Sequence, residues 1–164
     1  MFDTPILELK EYSARWEDRV FKRITDFVIG LVGLIICSPW LLIRMMLGDR
    51  IATERCMGKD GKEFLHYHFQ NHSSGVLSLL NLVNGKMSLI GPAVTPYEQA
   101  QKEIEEDGRY FYRYRMKPGM TGYSRLYGNG HTAPWDLLKM DIYYIQHFSL
   151  LNDFKLMLQS LRIH

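Results

Sequence analysis

Cysteine is scarce in this 164-residue sequence, which contains only Cys37 and Cys56. Cys37 lies in an apolar run, and two such cysteines do not build a disulfide scaffold, so a reducing compartment is expected. A strong charge of one sign is also lacking, because the formal net charge is only +2 at pH 7. We therefore expect no nucleic-acid partner. The first residues are charged and mixed and do not form the apolar core of a signal peptide.

Acidic side chains are missing from one long segment, since no Asp or Glu occurs from Phe64 to Pro92. The same segment holds three His residues, a short apolar run and a Gly-Pro loop, a combination that indicates a functional site. His66 and His68 would share one face of a strand, and imidazole suits Zn²⁺. No Cys, third ligand or second-shell carboxylate is placed close to them by the sequence. The sequence therefore favours a structural or solvated role for His66, His68 and His72, and it predicts no metal site.

A long apolar run is missing as well. The most apolar stretch, FVIGLVGLIICSPWLLI from Phe27 to Ile43, has 17 residues. As a straight helix it would reach roughly 26 Å at about 1.5 Å per residue, whereas a hydrocarbon core is roughly 30 Å thick. Because Pro39 removes a backbone donor, we expect a kink at Ser38-Pro39 that leaves two arms, neither long enough to cross a membrane.

Basic residues flank this run on both sides, namely Arg19, Lys22 and Arg23 before it and Arg44 and Arg50 after it. Since basic flanks favour the cytoplasmic side, the pattern favours a helix that enters the membrane, breaks at Ser38-Pro39 and returns to the same face. A buried core helix and a kinked membrane span are the alternatives. The expected units are an amphipathic helix (1–19), a re-entrant helix–break–helix (20–50) and a cytoplasmic globular domain (51–164).

The remaining sequence predicts helices joined by short strands, and hence an α+β fold that is mostly helical. The expected elements are a helix from Pro5 to about Trp16, a turn at Asp60–Lys62, a strand over EFLHYHF and a short helix from Val76 to Asn84 ended by Gly85. Thr95 as N-cap, Pro96 at the first position and Glu98 as capping-box partner predict a further helix start.

Two helices are expected near the C-terminal end. The sequence TAPWD at residues 132–136 opens the first, and Ser149 caps the second. Apolar residues form one stripe on this last helix, at Leu150, Leu151, Phe154, Met157, Leu158 and Leu161. Their helical spacing favours contact with the protein core over contact with a membrane.

Several short phrases, taken in order, resemble the bacterial sugar transferase family, the monotopic phosphoglycosyl transferases of glycan assembly. The first phrase contains Lys22-Arg23, Asp26 and Ser38-Pro39. The later ones are GKDGKEF, LLNLVNGKMSLIGP, MKPGMTGYSRLYG and DIYYIQHFSLLNDFKLML. Together the matches cover roughly residues 20 to 161. The ordered set, more than any single phrase, carries the resemblance.

The resemblance implies transfer of a sugar-1-phosphate from a UDP-sugar to a polyprenyl phosphate on the cytoplasmic face of the membrane. It also implies an Asp-Glu pair, in which the Asp takes the phosphosugar covalently and the Glu binds Mg²⁺. A carboxylate nucleophile splits a difficult displacement into two steps, and a hard dication neutralises the diphosphate. In this chain the pair falls at Ser74-Gly75, and neither residue is a carboxylate.

Other positions of the family phrases are also altered. The family's Gly-Pro-Arg-Pro is replaced by Gly91-Pro92-Ala93-Val94, and its Gln in the Thr-Gly loop is replaced by Arg125. The twenty or more residues that the family carries between strand and acidic pair are almost absent. Scaffold phrases are thus retained while the residues expected to perform the chemistry are lost.

A basic group in an aromatic setting is the remaining candidate site, and it comprises Arg113, Arg115, Lys117 and Arg125. These residues could hold a phosphate or an anionic lipid head group. A solvated face, or salt bridges to the preceding EIEED, explains them equally well. Asp141 and Asp153 match family positions, but contacts between helices account for them as well as chemistry does.

The sequence therefore predicts a catalytically deficient, monotopic protein on the cytoplasmic face of a bacterial inner membrane, with no catalytic residues and no resident cofactor. Expected partners are membrane lipid and an active phosphoglycosyl transferase or another glycan-assembly enzyme; a homodimer and polyprenyl phosphate are further candidates. One alternative is an active transferase whose acids come from elsewhere, for example Asp60, Glu63 or Glu98. Another is a membrane-anchored module that binds anionic lipid or nucleotide.

Overall fold

A computed structural model describes residues 15–71 and 75–163 of the chain. Its helices are α1 (Trp16–Met46), α2 (Ser78–Val83), α3 (Tyr97–Glu106), α4 (Tyr123–Tyr127), α5 (Pro134–Gln146) and α6 (Leu150–Ile163). Its strands are β1 (Ile51–Met57), β2 (Glu63–Phe69), β3 (Ser88–Ile90) and β4 (Gly119–Thr121). The predicted mostly helical α+β fold, with a long N-terminal helix before a small domain of short strands, is confirmed. Except for its last two positions, the helix expected from Pro5 to Trp16 lies outside the described residues.

The long helix α1 continues without interruption across Ser38-Pro39, so the expected division into two helical arms is wrong. Pro39 has no N–H to offer the carbonyl of Ile35, four residues earlier. The Ser38 hydroxyl donates to that same carbonyl oxygen at 2.8 Å and replaces the missing donor. With this group satisfied, 31 residues form one helix, about 46 Å long at 1.5 Å per residue. The helix also runs across the boundary expected at residue 20.

One face of α1 is bound to the domain by charged side chains. Arg23 donates from both terminal nitrogens to the last carbonyls of α2, at 2.8 and 2.7 Å. Asp26 is buried and accepts from the Ser88 hydroxyl at 2.7 Å and from the Leu89 N–H at 3.0 Å. Lys22 pairs with Asp153 of α6. These contacts attach α1 to α2, β3 and α6 at once.

The opposite face of α1 is apolar and uncovered. Among the described residues α1 is the one helix long and apolar enough to cross a membrane, by length and composition. Its exposed side chains include Phe21, Ile24, Val28, Ile35, Ile36 and Leu42. Near the other end of the helix, Trp40 packs edge-on against Phe69 of β2, with ring centroids 6.1 Å apart. Both halves of α1 therefore contact the same domain.

The strands β1 and β2 form an antiparallel hairpin. Its turn contains Asp60 with φ 57° and Gly61 with φ 74°, which confirms the predicted Asp60–Lys62 turn. The strand predicted over EFLHYHF is confirmed as β2. The register places Glu54 opposite His66 and Cys56 opposite Phe64. Since side chains alternate along a strand, all four of these point to one face of the hairpin.

The predicted short helix after residue 75 is confirmed as a 3-10 turn followed by α2, and it ends at Gly85 with φ 73°. Beyond it, β3 and β4 pair in parallel. Gly91 and Gly119 let these backbones approach closely: a Cβ on Gly119 would lie 2.2 Å from the Gly91 nitrogen. No larger residue fits there without moving the backbone.

The main core lies beneath α5 and α6, where Leu138, Ile142, Tyr144, Ile145 and Leu156 are at most 2% exposed. Pro134 opens α5 as predicted, and the Ser149 hydroxyl accepts from the Asn152 N–H at 3.1 Å as the predicted cap of α6.

Two expectations about helices are wrong. α3 begins at Tyr97 with Pro96 as its N-cap, and Thr95 makes no capping bond because its hydroxyl faces the Ala93 carbonyl at 3.5 Å. The stripe predicted to face the core from α6 is largely exposed, for example at Leu151 (77%) and Leu161 (72%). The buried face of α6 is centred on Leu156 instead, which packs in the main core, while Asp153 pairs with Lys22 of α1.

Candidate functional site

A cleft of about 540 Å³ opens between the β1–β2 hairpin, the start of α2 and β4. We call it the hairpin cleft. The residues that line it include Glu54, His66, His68, Gly75, Ser78 and Arg125. The hairpin supplies one wall because its register gathers alternate side chains on one face. Gly75 lies at the opposite wall, so the cleft coincides with the position to which the family resemblance assigns the acidic pair.

The position of the expected acidic pair holds no side-chain ligand in the described part of the chain. Gly75 is described, and a Cβ built on it would meet nothing within 4 Å, whereas Ser74 lies outside the described residues. Asp60, Glu63 and Glu98, the acids considered as substitutes, do not line the cleft. Glu63 and Glu98 instead lie 3.7 Å from the Arg55 guanidinium, whose side chain points to the other face of the hairpin.

One carboxylate that the sequence did not single out does line the cleft. Glu54 lies beside Cys56 and His66, and one ligand atom from each of the three lies within 4.8 Å of the others. The signal was present in the sequence, because the Asp60 turn lies midway between residues 54 and 66. Two strands joined there must pair these positions. Sequence reasoning missed the trio because it predicted β2 but not β1.

The environment of this trio is partly buried. Cys56 is completely buried, and burial followed by the nearby Glu54 carboxylate raises the pKa of its thiol to about 12. Burial and the neighbouring His68 lower the pKa of His66, so this imidazole is neutral over a wider pH range. The Nε2 atom of His66 lies 2.8 Å from the Ser78 hydroxyl. His68 stacks on His66 with ring centroids 6.2 Å apart.

The four basic residues predicted as one group do not lie together. Arg113 is buried and forms ion pairs with Asp141 at 2.7 Å and with Glu103 at 3.6 Å. Burial raises the pKa of Asp141, while the Arg113 guanidinium opposes that rise. Arg125 lines the hairpin cleft and donates to the Met120 carbonyl. Arg113 therefore has a structural contact, as salt bridges to the EIEED segment implied.

Arg115 and Lys117 do share a cleft, and cations dominate it. This basic cleft, about 180 Å³, lies against the start of α1 and is lined by Arg19, Lys22, Arg23, Asp26, Lys59, Ser88, Arg115, Met116 and Lys117. Burial, followed by the positive charge of Arg23, lowers the pKa of Lys117. An anion bound in this cleft would reduce the repulsion between these positive charges.

Asp153 forms a largely buried ion pair away from the hairpin cleft. It pairs with Lys22 and accepts from the Tyr144 hydroxyl at 2.6 Å, while Lys22 also donates to the Ile90 carbonyl at 3.0 Å. Burial raises the pKa of Asp153, against the opposing effect of Lys22. Asp141 and Asp153 thus join separate segments of the fold, and neither lines the hairpin cleft.

The described residues of the hairpin cleft do not fit Mg²⁺, the ion that the family resemblance implies for active members. Mg²⁺ prefers six oxygen ligands in octahedral geometry and is usually held through carboxylates. Glu54 is the single carboxylate among the described residues that line the cleft, and its neighbours are a thiol and an imidazole. Gly75 supplies no side-chain oxygen. Magnesium chemistry is therefore not assigned to this cleft.

The structure thus combines a long apolar helix with a small α+β domain that has a cleft at the start of α2. The sequence model described as "Bacterial sugar transferase" matches residues 74–164, more than half of the chain. The chain belongs to the bacterial sugar transferase family.

Curated relatives agree with this assignment. The chain is 32% identical to a "UDP-galactose-lipid carrier transferase" of Erwinia amylovora, over 96% of this chain and 43% of the relative. It is 25% identical to a "UDP-glucose:undecaprenyl-phosphate glucose-1-phosphate transferase" of Klebsiella pneumoniae, over 93% and 42%. It is 23% identical to a "Galactosyl transferase CpsE" of Streptococcus agalactiae, over 91% and 43%.

The chain thus spans less than half the length of these three relatives. The match to the Erwinia amylovora protein extends over 208 aligned positions, although the chain has only 164 residues. The relative therefore carries segments within the aligned region that this chain lacks. This agrees with the short connection between β2 and α2.

Proposed function

We propose that this chain is a catalytically deficient member of the bacterial sugar transferase family that supports polyprenyl-linked glycan assembly. In this proposal it acts as a partner of an active phosphoglycosyl transferase or of another glycan-assembly enzyme. The observation that carries the proposal is Gly75, which stands open at the wall of the hairpin cleft where the resemblance places an acidic residue. Relatives named as transferases of sugar phosphates to undecaprenyl phosphate support the choice of pathway.

The described lining of the hairpin cleft holds too few carboxylates for the transfer reaction. Transfer through a covalent intermediate needs one carboxylate as nucleophile and further oxygen ligands for the dication that neutralises the diphosphate. The described lining of the hairpin cleft contains Glu54 alone. One carboxylate cannot attack phosphorus and hold the metal at the same time. Loss of the transfer reaction follows, while the folded scaffold remains available for contact with other proteins.

We also propose a monotopic placement on the cytoplasmic face of the inner membrane, with the unbroken α1 lying along that face and not crossing the hydrocarbon core. Two contacts favour it over a span. Lys22 binds Asp153 and Trp40 packs on Phe69, so positions 18 residues apart on α1 touch one domain. Those positions are about 27 Å apart at 1.5 Å per residue, and a span would put them on opposite sides of a hydrocarbon core roughly 30 Å thick.

Activity is tested with purified protein in nanodiscs, a set of UDP-sugars, undecaprenyl phosphate and Mg²⁺, with UMP release as the readout. An active relative with an intact acidic pair serves as positive control, and a mock purification gives the background. We expect no release above that background. Robust release by the wild type overturns the proposal, and Ser74→Ala then tests whether the Ser74 hydroxyl takes part in the reaction.

Partnership is tested by purifying the chain from its native cells in mild detergent. We expect a glycan-assembly enzyme, such as a relative with an intact acidic pair, to elute in a stoichiometric amount. Elution of the chain alone, under conditions in which known membrane complexes of the same cells survive, contradicts the partner role.

A second candidate is an active transferase with non-standard catalytic residues, and the position of Glu54 in the hairpin cleft favours it. In that case UMP release by the wild type falls to background in Glu54→Gln. The matched control is Glu63→Gln on the other strand, whose side chain lies outside the cleft. Equal activity of the two variants would remove Glu54 from consideration.

A further inference from the structure

We propose that Glu54, Cys56 and His66 bind a divalent transition metal ion of the Zn²⁺ type in the hairpin cleft. This proposal goes beyond the proposed function and holds whether or not the chain transfers sugar phosphate. It differs from the magnesium site of active family members both in its ligands and in its metal. It also reverses the expectation from sequence that the histidines of β2 have no metal-binding role.

The hairpin register brings the three ligands together. Glu54 and His66 are directly opposite each other across the two strands, and Cys56 follows Glu54 by two residues on the same face. One ligand atom of each lies within 4.8 Å of the other two. Tetrahedral sites with bonds of about 2.0–2.3 Å place their ligand atoms roughly 3.3–3.8 Å apart. The exposed and flexible Glu54 side chain can close the remaining distance by rotating about its own bonds.

The ligand types select the metal. A thiolate and an imidazole with one carboxylate form a mixed S, N, O set, which suits Zn²⁺ and related borderline ions. Mg²⁺ and Ca²⁺ prefer sets made entirely of oxygen. On binding, a metal–sulfur bond replaces the S–H bond of Cys56, and the thiol proton leaves to solvent. The metal then balances the charge of the new thiolate, which is buried, and of the neighbouring Glu54 carboxylate.

The surroundings support a metal site rather than simple packing. Cys56 belongs to a small apolar cluster with Phe64 and Met87, and that packing alone explains its burial. That packing does not account for the carboxylate of Glu54 and the imidazole of His66 beside the same thiol. His66 is oriented by the 2.8 Å contact between Nε2 and the Ser78 hydroxyl, which leaves Nδ1 as the ring nitrogen for a metal.

The site would have an open position. Three protein ligands leave one corner of a tetrahedron, and this corner faces the cleft, where water or an anionic ligand can complete the coordination. Metal-binding histidines commonly use their second ring nitrogen in such a hydrogen bond, which fixes the ring and its tautomer. Ser78 supplies that contact from the first turn of α2. The metal would therefore tie the β1–β2 hairpin to α2 through His66.

The test uses the full chain in detergent or nanodiscs, freed of any affinity tag, and titrated with Zn²⁺ or Co²⁺ alone. We expect elemental analysis after gel filtration to find one Zn²⁺ per chain. Millimolar Mg²⁺ should not displace this Zn²⁺. With Co²⁺ we expect the visible bands of a tetrahedral site and a near-ultraviolet charge-transfer band that reports a thiolate ligand. A well-folded wild-type protein that retains no metal overturns the proposal.

Variants assign the ligands. Cys56→Ala should abolish the charge-transfer band, and Glu54→Gln and His66→Gln should each weaken binding by about tenfold or more. Cys37→Ser and His68→Gln are the matched controls, because Cys37 lies on α1 and His68 lies outside the trio. Persistence of the band in Cys56→Ala, or an equal loss in Cys37→Ser, contradicts the assignment.

X-ray absorption of the wild-type Zn²⁺ complex keeps the test decisive if Cys56→Ala does not fold. We expect one sulfur ligand at about 2.3 Å, together with nitrogen and oxygen ligands at about 2.0–2.2 Å. A first shell made only of nitrogen and oxygen refutes the assignment of Cys56.

Discussion

Replacing Arg113 by Met should destabilise the fold severely, because Arg113 is the counter-charge of a buried carboxylate. Its side chain is 8% exposed and that of Asp141 is 1% exposed, with 2.7 Å between the nitrogen and oxygen. Removing one partner of such a pair typically costs about 3–5 kcal/mol, since the other charge is left buried without compensation. For a chain of this size, about 2–4 °C of melting temperature corresponds to each kcal/mol, so Tm should fall by about 6–20 °C.

The stability that Arg113→Met loses relative to the wild type should be greater at high pH than at low pH. Burial already raises the pKa of Asp141 in the wild type, and removal of Arg113 raises it further. The folded state of Arg113→Met then binds a proton that the unfolded state releases above about 3.9. Its stability must therefore fall as pH rises through this window and recover as pH falls. The deficit of Arg113→Met relative to wild type should shrink between pH 7 and pH 5.

The assay is thermal unfolding in one detergent at both pH values, with Arg115→Met as the matched control. Arg115 lies two residues further on and is exposed, and its guanidinium lies 5.9 Å from the centre of the Tyr112 ring in a cation–π arrangement. Its loss should therefore cost less than about 1 kcal/mol. The double variant Arg113→Met with Asp141→Leu should recover most of the lost stability. Equal losses for Arg113→Met and Arg115→Met would refute the buried ion pair and favour a ligand-binding role for Arg113.

Three further outcomes are expected. Lys117→Met should raise Tm at pH 7 and low salt, because burial lowers the pKa of Lys117 and its charge therefore destabilises the fold. This gain in Tm should fade as pH rises to about 10.4. We also expect inorganic phosphate to stabilise the wild type and to have no such effect on Lys117→Met. An unchanged phosphate response would exclude the basic cleft as an anion site. Gly30→Val should lower the free energy of unfolding by about 1–3 kcal/mol, because a Cβ at this position would lie 3.0 Å from Val83. The control is Leu31→Val, on the exposed face of α1. Similar unfolding curves for the two variants would contradict the close packing of α1 on α2. Asp26→Asn should lower the free energy of unfolding by about 1–3 kcal/mol, because it disturbs the hydrogen bonds to Ser88 and Leu89. Urea unfolding followed by circular dichroism measures this loss. An unchanged free energy of unfolding would show that these bonds contribute little.

Local signals predicted much of this fold. The Asp60 turn, the strand over residues 63–69, the start of α5 at Pro134 and the Ser149 cap all depend on neighbours in sequence. Such signals involve turn and cap chemistry that a few adjacent residues decide. The family resemblance added the overall class, because ordered phrases spread along the chain carry more information than any local pattern.

The features that sequence reasoning missed depend on contacts between distant residues. Which face of α6 is buried depends on contacts such as the pairing of Asp153 with Lys22, 131 positions away. Arg113 was grouped with three nearby cations, but Asp141, which determines its role, lies 28 positions further on. Glu54 and Cys56 became candidates only once β1 was paired with β2. The continuity of α1 at Pro39 was also unexpected, since a proline rule alone ignores the donor that Ser38 provides.

The bonds from Arg23 to the last carbonyls of α2 have a mechanical consequence. Gly85, which follows α2, has no space for a Cβ, because that atom would lie 2.9 Å from the Arg23 guanidinium. The end of α2 is therefore clamped to α1, and its start forms a wall of the hairpin cleft. In a bilayer, the depth and tilt at which α1 settles would set the height of the cleft above the lipid phosphates. A substitution on the apolar face of α1 could thus change what the cleft can reach without touching a single residue that lines it.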